Sequence, residues 1–349
     1  MKFWTTLCTI LVSTMLMLNA SIAGDTVGVR HFAAPSRERG TDLDVTVWYP
    51  AEPGGEAVNL GDSELFVGTS AMRDAPISGG KFPLILLSHG AGLAGTPQAL
   101  SWIATPLARQ GFVVAAPTHP GNGGKNRSAA ETMKLWLRPA DLTATLDAIG
   151  KDTFFGDHFE QGKIGVLGLS MGGNTALAIA GARVDPERLA AYCDTDALNA
   201  SLCQWVRQSG VDLHAMDLQP ASRDNTDERI RFAMAIDPAP VDVLDARSFA
   251  GIGIPLAIVN LGQPGKIPAT ADASGIAKAI ANASYATIED ASHYSMFGEC
   301  KPGAAEIVVS EEIGDPVCDD GGGRSRGEIH AQLIEMATAA FTRALKAGR

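Results

Sequence analysis

The sequence predicts an α/β fold: a mainly parallel, twisted sheet with helices on both faces and one inserted segment. Three observations carry that expectation. Apolar strand-like runs alternate with helix-like stretches over much of the chain, the pattern of βαβ units. The run Phe82-Pro83-Leu84-Ile85-Leu86-Leu87 is unbroken, as a strand buried on both faces should be. Finally, Gly168-Leu169-Ser170-Met171-Gly172 follows the apolar run Ile164-Gly165-Val166-Leu167 and precedes the helix-like Asn174-Thr175-Ala176-Leu177-Ala178-Ile179-Ala180. Strand, tight turn, helix is the setting in which a GxSxG pattern marks a nucleophile elbow.

The elements follow in order. From Asp25 to Glu52 the chain reads as two strands, the clearer being Leu43-Asp44-Val45-Thr46-Val47-Trp48-Tyr49, which alternates as a half-exposed strand does and should end at Pro50. Residues 51–80 are rich in Gly, Ala, Ser and Asp and read as a long connection with at most a short helix. The buried strand at 82–87 leads into Ser88-His89-Gly90-Ala91-Gly92. Then come a helix from Gln98 to Gln110, a strand Phe112 to Ala116, a helix Leu137 to Ile149 and a strand Lys163 to Leu169. Between 185 and 227 the alternation stops, and two cysteines, Trp205 and short apolar clusters among polar residues read as an insertion, a lid over one end of the sheet. Strands at Ile230 to Ile236, Ile254 to Asn260 and Ser284 to Ile288 follow, with a helix from about Ala271 to Ala281. A last helix places Ile329, Leu333, Met336, Phe341 and Leu345 on one face. No internal repeat or second-domain boundary interrupts residues 24–349.

The 349 residues are 46% hydrophobic, enough for a large core. Residues 1–23 read as a secretory signal: Lys2 gives the positive start, Leu11 to Leu18 the apolar centre, and Ser21-Ile22-Ala23 a small-x-small cleavage site. The apolar stretch is short for a membrane span, and Thr5-Thr6-Leu7 lacks the small residue expected before a lipidated Cys8. A periplasmic or secreted protein without a stable membrane anchor is the expectation. Cleavage after Ala23 removes one Lys and no acid, moving the formal charge from -11 to -12. No basic cluster is present, which argues against nucleic acid as a partner. Four cysteines then remain, Cys193, Cys203, Cys300 and Cys318, which allow three disulfide pairings. Proximity in sequence favours Cys193 with Cys203 and Cys300 with Cys318. No Cys/His spacing points to zinc, and no metal or other cofactor is expected.

A serine hydroxyl is a weak nucleophile at neutral pH. It needs a base, an acid that orients the base, and donors for the oxyanion. On an α/β-hydrolase fold these come in the order Ser, Asp or Glu, His. Three histidines follow Ser170. His214 lies in the insertion, ahead of the strands that should supply the acid, and His330 lies inside the last helix, where a surface position is the default. His293 follows a late strand in Asp290-Ala291-Ser292-His293-Tyr294 and is the candidate base. For the acid, the penultimate strand runs into Asn260-Leu261-Gly262-Gln263-Pro264 with no carboxylate before Asp272. One strand earlier, Asp237 ends Ala233-Met234-Ala235-Ile236, where ligand-facing residues of parallel sheets collect. Asp237 is therefore preferred, Asp272 is the fallback, and Asp290 is too near His293 in sequence to reach it. The oxyanion donors should be the N–H groups of Met171, after the nucleophile, and Ala91, in the glycine-rich loop after the first central strand. His89 should hold that loop by hydrogen bonds.

Together, Ser88-His89-Gly90-Ala91-Gly92, the run from Gly111 to Gly121 with Pro117-Thr118-His119-Pro120-Gly121, the elbow at Ser170, Ala235-Ile236-Asp237 and Ser292-His293 resemble the platelet-activating-factor acetylhydrolase group and the bacterial proteins called predicted dienelactone hydrolases. The resemblance spans most of residues 40–346. It implies Asp237 as acid, Ala91 and Met171 as oxyanion donors, and cysteine-containing insertions in exported members. One departure matters: dienelactone hydrolases use a cysteine nucleophile, so the serine here argues against lactone chemistry. The expected activity is hydrolysis of short-chain carboxylic esters by a Ser170, His293, Asp237 triad, under a roof made by the insertion with Trp205, Met296 and Phe297. The alternatives are an amidase or peptidase with the same triad, and a non-catalytic binding protein on the same fold.

Overall fold

A computed structural model describes residues 26–311 and 314–347. The expected signal segment and its cleavage site lie outside the described residues. β1 (Thr26–Ser36) and β2 (Thr41–Ala51) form an antiparallel pair, followed by the hairpin of β3 (Glu56–Leu60) and β4 (Thr69–Arg73). Alternation then gives β5 (Phe82–Ser88), α1 (Ser101–Arg109), β6 (Val113–Pro117), α2 (Ala129–Thr132), α3 (Leu137–Ile149), β7 (Phe159–Leu169) and α4 (Met171–Ile179). The short β8 (Arg183–Val184), α5 (Pro186–Ala190) and α6 (Ala200–Gln208) come next. The chain continues through β9 (Ile230–Ile236), β10 (Leu244–Asp245), β11 (Leu256–Leu261), α7 (Ser274–Ala279), β12 (Ala283–Ile288), α8 (Ala304–Ser310) and α9 (Arg326–Phe341).

Ten strands make one sheet in the order β12-β11-β9-β7-β5-β6-β2-β1-β4-β3, while β8 and β10 pair separately. From β12 to β6 every neighbour is parallel, and β2 joins β6 antiparallel. Alternate residues of the central strands feed two cores. Leu84 and Leu86 face Leu142, Leu146 and Leu177 of α3 and α4, whereas Ile85 and Leu87 face Ile103 and Leu107 of α1 and Ile329 and Leu333 of α9. Burial on both faces accounts for the unbroken apolar run.

Three expectations need correction. Residues 51–80 are not a plain connection but carry the β3–β4 hairpin. Its strands are largely exposed, and β4 joins the sheet through only the pairs Gly28↔Met72 and Val29↔Arg73, so no apolar alternation was required of them. Pro50 does not end β2. On that side β6 pairs only as far as Trp48, so the missing proline N–H breaks no ladder there. On α9, Met336 is only half-buried, and Ala337 and Ala340 line the core beside Ile329, Leu333 and Phe341.

Residues 185–227 form α5, α6 and two 3₁₀ turns, with Cys193 and Cys203 disulfide-bonded. Leu189, Tyr192, Val206, Leu213 and Leu218 are buried against the same core as α3 and α4. Trp205 is half-buried beneath the Arg127 guanidinium, 4.6 Å from its ring centre. The second disulfide, Cys300–Cys318, spans α8 in the segment that leads from β12 to α9. Among the described residues no helix is long and apolar enough to cross a membrane.

Candidate active site

The proposed site residues meet at the C-terminal edge of the parallel strands. β7 runs directly into Ser170, whose backbone takes φ 54° and ψ -121°, a conformation that L-residues rarely adopt. Ser170 N–H donates to the Ile236 carbonyl (3.0 Å), tying the turn to β9. The flanking glycines are required by space. A Cβ on Gly168 would stand 1.9 Å from the Gly172 carbonyl oxygen, and one on Gly172 would stand 1.8 Å from that of Ser88. Helix α4 starts at Met171, earlier than the sequence pattern indicates, because the turn itself is its first cap.

Ser170 Oγ lies 3.1 Å from His293 Nε2, and His293 Nδ1 lies 2.5 Å from Asp237 Oδ2. Asp237 is fully buried and His293 partly exposed. A carboxylate can only accept, so Nδ1 carries the proton and Nε2 is left to accept from the serine hydroxyl. Asp237 directly follows β9, also with a positive φ (43°). Its other oxygen, Oδ1, accepts from Asn260 Nδ2 (2.7 Å) and Leu261 N–H (2.8 Å) at the end of β11. Asn260 is itself saturated: its amide also donates to the Ala271 carbonyl, and its oxygen accepts from Ala273 N–H and Tyr285 O–H. Reading the sequence for a carboxylate passes over Asn260. A lone polar residue closing the apolar strand Leu256-Ala257-Ile258-Val259 is the available signal.

The fallback acid and the aspartate set aside as too near His293 are both occupied elsewhere. Asp272 is exposed and accepts from Ser274 N–H at the start of α7, and Asp290 pairs with Arg324 at 2.6 and 2.7 Å. His214 is exposed and pairs with Asp194. His330 is not on the surface as its helical position implied: it is buried, stacks on Trp102 at 3.7 Å and donates from Nε2 to the Ser295 carbonyl. Trp102 Nε1–H donates to the Met296 carbonyl. The pair thus supports the 3₁₀ turn His293–Met296, whose entry is closed by reciprocal Ser292 and Ser295 bonds. Met296 itself is core, and Phe297 lines a cleft that none of the triad residues reaches. That cleft, about 620 Å³, is also lined by Leu93, Val67, Phe66 and Trp102.

On the other side of Ser170, the loop after β5 passes close by: a Cβ on Gly90 would be 3.5 Å from that of Ser170. Ala91 caps the 3₁₀ turn Gly92–Ala94 in an extended conformation, and Met171 N–H, at the first position of α4, has no intrahelical acceptor. His89 is buried and does hold the loop, donating from Nδ1 to the Gly90 carbonyl (2.8 Å) and accepting at Nε2 from His119 N–H (3.0 Å). Among the described residues no cluster of three or more His, Cys, Asp or Glu is disposed to hold a metal.

Burial holds His89 and His119 well below the ordinary histidine range and His330 down to about 4. All three stay neutral in the fold but take up protons near pH 6.5 once unfolded. Stability is therefore complete above that pH and falls on acidification, by up to about 1.4 kcal/mol per pH unit for each histidine. Thermal melts at pH 7 and pH 5 should show a clearly lower midpoint at pH 5. An unchanged midpoint would mean that these rings accept protons without unfolding.

A family model described as "Alpha/beta hydrolase family" matches residues 84–305. No curated protein matches the sequence. Among solved structures, a ferulic acid esterase from Streptomyces cinnamoneus aligns with TM-score 0.59 and 17% identity over 94% of this chain and 92% of its own. A puromycin-hydrolyzing peptidase from Mycobacterium tuberculosis aligns with TM-score 0.53 and 14% identity over 91% of this chain but 39% of its own. At such identities the likeness establishes the fold.

Proposed function

The chain belongs to the alpha/beta hydrolase family, and from that membership we propose that it is a serine hydrolase that cleaves carboxylic esters through Ser170, His293 and Asp237. The observation that carries the proposal is the continuous hydrogen-bond line from Ser170 Oγ through the His293 ring to a fully buried carboxylate, beginning at a strained, half-exposed serine. Ser170 Oγ attacks the ester carbonyl as His293 Nε2 takes its proton, and Asp237 stabilises the imidazolium. The N–H groups of Ala91 and Met171 receive the negative charge that develops on the carbonyl oxygen. His293 returns the proton to the leaving alcohol, and water, activated by the same ring, releases the acid and frees the serine.

Leu93, in the 3₁₀ turn that directly follows Ala91, is a large hydrophobic residue left exposed beside the oxyanion loop, which favours an apolar group on one side of the ester. Short-chain esters are the first substrates to try, with residues 185–227 as a lid. Two disulfides are compatible with a periplasmic or secreted location after loss of residues 1–23. Fluorophosphonate labelling followed by peptide mapping tests the mechanism: the adduct should sit on Ser170, and an adduct elsewhere, or none, would refute it. The same triad can cleave amides, so p-nitrophenyl acetate and p-nitroacetanilide should be compared. Faster turnover of the anilide would make the chain an amidase.

A further inference from the structure

The fold contains a second serine–histidine–aspartate line that the proposed reaction does not use. Ser88 Oγ lies 2.9 Å from His119 Nε2, and His119 Nδ1 lies 2.8 Å from Asp141 Oδ2. All three are completely buried. Ser88 ends β5 in an ordinary strand, and its carbonyl oxygen lies so near Gly172 that even a Cβ there would collide with it. No ester can approach. We propose that this line, with the buried cation Arg138, is a positioning apparatus that fixes the Ala91 N–H for the oxyanion; the inference rests on Ala91 being a donor in the reaction proposed above.

The bond directions follow from chemistry. Asp141 accepts from Arg39 Nε (3.0 Å) and Nη2 (2.8 Å) as well as from His119, so its oxygens act as acceptors throughout. Burial keeps His119 neutral, so with Nδ1–H directed to Asp141, Nε2 must accept the Ser88 hydroxyl proton. The Ser88 oxygen is then free to accept from Arg138 Nη2, at 3.4 Å. Arg138 sends its other protons to Thr175 Oγ1 (2.9 Å), Asn122 Oδ1 (2.7 Å) and the His89 carbonyl. None of these acceptors is a carboxylate: the guanidinium is held by neutral oxygens turned towards it, while the nearby Asp141 charge opposes the desolvation. Desolvation lowers its pKa only to about 9, which leaves it charged at neutral pH.

The His89 carbonyl belongs to the oxyanion loop, Asn122 to the loop after β6, and Thr175 to α4. Arg138 pins the His89 carbonyl, the His89 ring pins the Gly90 carbonyl, and the main-chain carbonyl of Asn122 pins Gly92 N–H at 2.8 Å. The Gly90–Ala91 peptide is planar, so fixing the carbonyl at one side fixes the N–H at the other. Oxyanion donors contribute only while they are held in place before the charge appears, and a loose donor loses that advantage.

The test uses the full chain with p-nitrophenyl acetate as substrate and phenylboronic acid as a mimic of the tetrahedral adduct. Arg138→Lys keeps the charge but loses the fork. It should lower kcat about 100-fold, leave KM within about threefold, and raise the boronic acid inhibition constant in step with the fall in kcat. Ser88→Ala deletes one oxygen and should cost about tenfold on both readouts. It decides the matter if the lysine variant does not fold. A merely structural network would give a lower melting temperature with kcat and inhibition constant unchanged in the folded protein, and that result overturns the inference. A wild-type chain inert to both probes would instead overturn the reading of Ser170 as nucleophile, and this inference with it.

Discussion

Ser170→Ala is expected to lower kcat for a p-nitrophenyl ester by about 10⁶-fold, with the melting temperature almost unchanged. The two halves of the expectation have separate causes. Alanine keeps the Cβ, so the close approaches of Gly168 to Gly172 and of Gly172 to Ser88 are untouched, and the elbow retains its shape. What the substitution removes is the 3.1 Å bond to a histidine that is itself partly exposed, worth about 1 kcal/mol at most. The nucleophile, in contrast, has no substitute nearby, because Ser88 is sealed in the interior. Residual hydrolysis should reflect only the oxyanion donors and substrate binding. Initial rates and a thermal melt on the same preparation check both halves. A variant retaining more than a few per cent of the activity would remove Ser170 from the mechanism.

The parts that the sequence made legible are those whose physics is local. An unbroken apolar run of this length, bounded by a Gly-rich turn, fits a doubly buried strand, and β5 is buried along its whole length. A serine between glycines after such a strand fits a turn where no side chain has room on either flank, and the structure has that turn at Ser170. Chain order, together with positions just after strands, brought His293, Asp237 and Ser170 forward, and the fold sets them within hydrogen-bond distance.

What stayed hidden depends on contacts between segments distant in sequence. Asn260 matters because β11 lies beside β9, which puts its amide against Asp237, 23 positions away. His330 looked like a helix-surface residue because nothing local reveals Trp102 stacked on it. Nothing local in the sequence singles out Arg138 or Asp141 on the helix Leu137 to Ile149. Burial of α3 against the loops after β5 and β6 turns them into the interior of a polar network, and no periodicity distinguishes that case from a solvated face. The β3–β4 hairpin escaped for the opposite reason: an exposed edge needs little apolar residue at all.

Asp237→Asn should lower kcat about 10⁴-fold, while Asp272→Asn should change it less than about twofold. In the first variant the amide oxygen still accepts from Asn260 and Leu261 at the Oδ1 position, so the fold is expected to hold. The group facing His293 then becomes an NH₂. Two donors cannot share the Nδ1 position, so the imidazole must move its proton to Nε2, where it confronts the Ser170 hydroxyl instead of accepting from it. The negative charge that would stabilise the imidazolium is lost at the same time. Asp272 does neither job: it is exposed and accepts a single bond from Ser274 N–H, which asparagine can replace. Steady-state rates of the two variants, with circular dichroism to show that both are folded, separate the assignments. If Asp272→Asn is the crippled enzyme and Asp237→Asn is not, the acid belongs to the later strand, and Asp237 serves only to join β9 to β11.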